Sequence, residues 1–121
     1  MALPVGPYTP IVRAGDFLIC SGQLGLSDGA LVEGVAEQVH QALRNASALL
    51  ATKDSGLHDV VKTTVLLTDM ADYATMNEAY VAHFADQPPA RTAFATAGLP
   101  LGALVEIEAW AYSPEITGLQ L

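Results

Sequence analysis

The sequence has 121 residues, room for one domain and not for two of ordinary size. Half of it is hydrophobic (51%) and 15% is charged, which excludes a disordered chain and predicts a compact core. Thirteen acids against five bases give a net charge of −8, and the cations Arg13, Arg44, Lys53, Lys62 and Arg91 are too scattered to follow a nucleic-acid backbone or an anionic membrane.

Ile11-Val12-Arg13 and Asp16 to Ser21 read as two strands, joined by a hairpin turn at Ala14-Gly15. A short β segment comes next. From about Val35 to Thr52, apolar residues at Val35, Val39, Ala42, Leu43, Ala46, Leu49 and Leu50 follow one face of a helix, and Lys53 suits its C-terminal dipole. Val60 to Thr68 is rich in β-branched residues and reads as a strand. A second helix is predicted from about Asp72, its N-cap, to Phe84, with Tyr73, Met76, Tyr80, Val81 and Phe84 as its apolar stripe. Thr92 to Ala97 and Leu104 to Tyr112 close the chain as strands joined across Gly98-Leu99-Pro100. The order predicts a single α+β domain over residues 1–121, with one mixed sheet and both helices on one face.

In the last strand, alternation sets Val105, Ile107, Ala109 and Ala111 on a face that packs against the helices. The other face carries Leu104, Glu106, Glu108, Trp110 and Tyr112. It reads either as a half-exposed sheet with two solvated carboxylates or as a face buried in an oligomer. In the second case the carboxylates need partners or they titrate.

Most other chemistry finds little support. His40, His58 and His83 lie 18 and 25 residues apart without a ligand-pair spacing, so no metal site is expected. Ser21 lacks the Gly-x-Ser-x-Gly elbow, and neither a Walker pattern nor Gly-x-Gly-x-x-Gly occurs. Cys20, alone in an apolar strand, reads as packed core. A lone cysteine, no basic and apolar leader pattern, and no apolar run of about 18 residues agree with a soluble cytoplasmic protein. Arg91 stands out because Pro88-Pro89-Ala90 restrains the chain before it and its neighbours Thr92, Ala93, Ala95 and Ala97 are small. Either it holds a small carboxylate in a bidentate fork or it makes a surface ion pair with one of the acids.

Gly6-Pro7-Tyr8, Ser21-Gly22-Gln23, Val61-Lys62-Thr63-Thr64-Val65, Met76-Asn77-Glu78-Ala79-Tyr80, Pro89-Ala90-Arg91-Thr92 and Val105-Glu106-Ile107-Glu108-Ala109 occur in this order. In these motifs the chain resembles the Rid family (RidA/YjgF type, long labelled endoribonuclease L-PSP) from Gly6 to Tyr112. The resemblance implies a chorismate-mutase-like fold, a homotrimer around a central barrel, and sites in the clefts between subunits. It implies hydrolysis of reactive 2-imino acids to 2-keto acids and ammonia, with no metal or organic cofactor. By the same resemblance Arg91 clamps the substrate carboxylate and Glu106 handles the attacking water. Tyr8 lines the pocket, Ser21 forms its polar rim, Asn77 shapes the site, and Ala93 contributes its backbone carbonyl.

Two departures matter. Many members carry cysteine where this chain has Ala93, which removes support for thiol chemistry. The loop Ser27-Asp28-Gly29-Ala30 is shorter than usual and is expected to alter the pocket mouth. The alternatives to an imine deaminase are a related deaminase or carbamate-type hydrolase of a catabolic pathway, and a non-catalytic trimer that binds small keto acids. Nucleic acid and membrane are not expected partners.

Overall fold

The computed structural model of the protein describes residues 6–115. Among them the chain forms β1 (Ile11–Ala14), β2 (Phe17–Leu24), β3 (Leu26–Ser27), β4 (Ala30–Leu31), α1 (Val35–Ala51), β5 (Val60–Leu67), α2 (Tyr73–Val81), β6 (Ala90–Ala95) and β7 (Val105–Tyr112). Five strands make one sheet in the order β1-β2-β7-β5-β6, and β3 pairs with β4 in a separate ribbon. The β5–β6 pair is parallel and the other pairs are antiparallel. The sheet is therefore mixed, and α2 supplies the crossover that a parallel pair requires.

One side of the sheet carries the core. Leu18 and Cys20 of β2, Val65 and Leu67 of β5, and Val105, Ile107, Ala109 and Ala111 of β7 are buried with Val39, Ala42, Leu43, Leu49 and Leu50 of α1 and Met76 and Tyr80 of α2. Alternation along β7 is as the sequence predicts, and the α+β arrangement with its helices on one face is found. The opposite face is open in the single chain. Val12, Phe17, Phe94, Trp110 and Tyr112 are all exposed there, and Phe17 meets Trp110 and Tyr112 edge-on at 6.2 and 5.5 Å.

Two polar details tie β2 and β7 to α1. Gly25 has no side chain because a Cβ there would fall 2.6 Å from Gln38 Cα, so the end of β2 lies directly on the helix. Gln38, buried in α1, donates through Nε2 to the Val32 carbonyl (3.0 Å) and accepts from the Leu104 amide through Oε1 (2.9 Å). Its side chain thereby satisfies partly buried backbone groups of two segments distant in sequence.

Several boundaries differ from expectation. The first hairpin turns at Gly15-Asp16, one residue later, with Gly15 at φ +59°. The short β segment is the β3–β4 ribbon, closed by Asp28-Gly29. α2 ends at Val81, because His83 and Phe84 donate to the carbonyls three residues back, Tyr80 and Val81, and tighten the last turn. Val81 is therefore exposed rather than part of the apolar stripe, and so is Tyr73. Asp72 makes no side-chain cap. Asp69 does the capping instead, accepting from the Ala71 amide at 2.9 Å before a short 3-10 turn.

Candidate active site

Glu106 sits in a concavity of about 320 Å³ on the open side of the sheet, lined by Tyr8, Ser21, Gly22, Leu24, Pro100, Glu106 and Glu108. The site exists because β2 is irregular where it passes Glu106. Cys20 pairs with Ala109 and Gln23 with Ile107, so Ser21 and Gly22 together oppose Glu108 in a bulge. Gly22 leaves the space that the Glu106 carboxyl occupies: a Cβ there would lie 2.9 Å from Glu106 Cγ and 2.8 Å from Cδ. Ser21 fastens the segment that brings Tyr8 in. Its hydroxyl donates to the Thr9 carbonyl (2.7 Å) and its amide to the Pro10 carbonyl (2.8 Å).

Burial pushes the Glu106 carboxyl above its ordinary range, and the neighbouring Glu108 carboxylate adds to the effect. A carboxyl so placed trades protons nearer neutral pH than a solvated one does. Cys20 lies one residue before this bulge but points into the core, where burial raises its thiol to about 11. It is an inert packing group.

Arg91 is held elsewhere. It is the second residue of β6, in register with Thr63 of β5, and Thr63 is buried against α2. Its side chain thus leaves the sheet on the helix side. Nη2 donates to the Tyr73 hydroxyl (3.1 Å), Nη1 approaches Met76 Sδ (3.6 Å), and Cζ lies 5.0 Å from the Tyr80 ring centre and 5.6 Å from that of Tyr73. Among the described residues, the one close contact between a basic and an acidic side chain is His58–Asp59 at 3.5 Å. Arg91 therefore has no carboxylate partner among them. Of the two readings open at the sequence level, the surface ion pair is not what forms.

Within a single chain Arg91 and Glu106 do not meet. Arg91 is level with Ala109 through Thr63, two strands away from β7. Glu106 lies three residues along, so the Cα atoms are roughly 14 Å apart and the side chains leave opposite faces of the sheet. Tyr8, Ser21 and Glu106 converge at one concavity. Arg91 lies apart from it, with Ala93 two residues along the same face and packed against the core. Asn77 follows Met76 on α2, and its Oδ1 is buried without a hydrogen-bond partner.

The family model for Endoribonuclease L-PSP matches residues 1–113. The chain belongs to the RidA/YjgF family. The 2-iminobutanoate/2-iminopropanoate deaminase of Mus musculus is 46% identical over 108 residues, 87% of this chain and 80% of its own. RidA from an Antarctic Psychrobacter is 40% identical and superposes with a TM-score of 0.88 over 91% of each chain. Escherichia coli TdcF, solved with bound serine, is 32% identical with a TM-score of 0.86 over 90% of each chain.

For this RidA/YjgF chain, sequence reasoning left Gly22, Leu24 and Pro100 without a place at the Glu106 pocket. It also left Tyr73, Met76 and Tyr80 without a link to Arg91. The glycine inside the second strand was a usable signal, since an isolated glycine in a strand marks a bulge or a close approach. The second set had none, because tyrosine and methionine on an amphipathic helix look the same whether they pack on leucine or on arginine.

Proposed function

We propose that the protein is a homotrimeric deaminase, one domain over residues 1–121, that hydrolyses 2-imino acids and their enamine tautomers to 2-keto acids and ammonia in the cytoplasm. The observation that carries this reading is the pair of incomplete half-sites on opposite faces of one sheet. One offers a cation without an acid, the other an acid without a cation. Joined across neighbouring subunits, Arg91 of one chain and Glu106 of the next bracket a small carboxylate with a polar carbon beside it. The exposed Val12, Phe17, Phe94, Trp110 and Tyr112 support burial of the open sheet face in such an assembly. The name of the mouse relative supports the substrate class.

The chemistry follows from the two groups. Arg91 fixes the carboxylate by a bidentate fork and so aims the adjacent iminium carbon. As the water oxygen bonds to that carbon, the C=N π electrons move to nitrogen and Glu106 takes the water proton. Glu106 then returns the proton to the amine of the carbinolamine. The C–N bond breaks, ammonia leaves, and the hydroxyl passes its proton to the freed Glu106 carboxylate, and from there to ammonia or solvent, to give the ketone. Acid/base help of this kind is typically worth ~10²–10⁴-fold. Tyr8 and Ser21 form the wall and rim, Asn77 shapes the Arg91 side, and the Ala93 carbonyl receives a donor of the substrate.

Hydrolysis of iminopropanoate, generated by an amino-acid oxidase, tests the reading. The protein is expected to shorten its lifetime. Arg91→Ala and Glu106→Gln trimers are each expected to be inactive, and trimers refolded from a mixture are expected to recover part of the activity. An inactive wild type, or mixtures as dead as the parents, would overturn the reading. A second reading, a trimer that only binds small acids, draws on the relative solved with bound serine. It requires Glu106→Gln to behave as wild type in every assay. The word endoribonuclease in the family's description fits this chain poorly, since five cations against thirteen acids oppose RNA.

A further inference from the structure

We propose that Tyr80 and Tyr73 are positioning residues for Arg91, holding the guanidinium by their rings and the Tyr73 hydroxyl in place of an acid, so that its charge and its remaining N–H donors are available to a ligand carboxylate. This rests on the deaminase reading and deepens it.

An arginine in a chain with a net charge of −8 would ordinarily be claimed by a neighbouring carboxylate. Such a partner fixes geometry but also competes with the ligand for the same fork. Here the fixing is done by groups that carry no formal charge. The Tyr80 ring lies 5.0 Å and the Tyr73 ring 5.6 Å from Cζ, within the range of a cation–π contact, and Met76 Sδ lies 3.6 Å from Nη1. The platform is itself locked. Tyr80 is 4% exposed and shares a 2.6 Å hydrogen bond with Thr63 Oγ1, and its ring packs on Phe84 at 4.8 Å. Thr63 is also the residue in register with Arg91 on the parallel strand. One backbone pair thus sets both the origin of the arginine and the anchor of the ring beneath it. Tyr73, at 38% exposed, closes the outer side through its hydroxyl.

The arrangement assigns a division of labour: the aromatic cradle governs how well Arg91 binds, and Glu106 governs turnover. Tyr80→Leu is expected to raise KM for the imine and the Kd for pyruvate at least tenfold with kcat within threefold of wild type. Tyr80→Phe, which keeps the ring, is expected to restore most of that loss. Because Tyr80 is buried, Tyr73→Leu provides a surface variant whose folding is not in question, and the same KM-only change, at least threefold, is expected. Tyr73→Glu, which supplies the missing acid, is expected to abolish pyruvate binding seen by calorimetry. The ring-current shift of the Arg91 side-chain NMR signals gives a readout independent of substrate, kept in Tyr80→Phe and reduced in Tyr80→Leu, where the Tyr73 ring remains.

Unchanged KM and Kd in folded Tyr80→Leu and Tyr73→Leu would overturn the proposal and leave the deaminase reading standing. So would a fall in kcat alone, or an undiminished ring-current shift in Tyr80→Leu. A wild type that neither hydrolyses iminopropanoate nor binds pyruvate overturns the deaminase reading itself.

Discussion

Gly22 and Glu106 share one volume: the carboxyl of Glu106 fills the space where any other residue at position 22 would place its Cβ. The obstructing atoms belong to the end of a flexible side chain, so Gly22→Ala is expected to turn the carboxyl aside at little cost to folding. Imine hydrolysis should fall at least tenfold, ~1.4 kcal/mol of barrier. Pyruvate binding through Arg91 and the melting temperature should stay near wild type. Steady-state kinetics with calorimetry on the one variant checks this, and unchanged kcat would remove the carboxyl from the reaction.

Glu106 also leaves a mark on stability. Its carboxyl is raised in the fold by burial and by Glu108, so the native state holds this proton to a higher pH than the unfolded chain. The group's contribution is fully present below the unfolded value of 4.5 and is lost as pH rises through the raised folded value. Glu106→Gln removes the charge that is penalised. It is expected to raise the melting temperature at pH 7.5 and to change it little at pH 4, while kcat falls ~10²-fold or more. Equal melting shifts at both pH values would contradict the assignment.

His40 on α1 and His83 after α2 form a pair, Nδ1 to Nε2 at 2.8 Å. Burial, then His40 and Arg44, hold His83 below its ordinary 6.5. A histidine lowered in the fold contributes stability that is present above 6.5 and lost as pH falls below it toward the folded value. The urea midpoint is therefore expected to drop between pH 7.5 and pH 5. His83→Gln should flatten that drop, measured as the difference in midpoint between the two pH values.

Cys20 provides a negative control. It is 1% exposed with its thiol at about 11, so alkylation of the native protein at pH 8 is expected to be negligible. Cys20→Ala should keep imine hydrolysis within threefold and cost about 1 kcal/mol of stability for the lost packing. A tenfold loss of activity would demand a thiol step.

The fold was legible where the signals are local. The stripe from Val35 to Leu50 gives α1 almost to the residue, and alternation at Val105, Ile107, Ala109 and Ala111 gives both faces of β7. Less legible were features set by contacts distant in sequence. Gln38, for example, acts on Leu104, 66 positions away. The separation of Arg91 from Glu106 depends on a register carried through Thr63 on a third strand, which neither strand encodes. Their residue types pointed to chemistry. Their placement needed the sheet.

The strand order has a bearing on synthesis. Among the described residues β7 is the last strand to be made, yet it lies at the centre of the sheet, between β2 and β5. Until Val105–Tyr112 leaves the ribosome, the hairpin of β1 and β2 has no hydrogen-bonded link to the β5–β6 pair, and α1 covers a gap. The nascent chain therefore exposes apolar strand edges until β7 emerges. Folding waits on the synthesis of β7, and a ribosome stalled before Val105 holds a form that invites chaperones or aggregation.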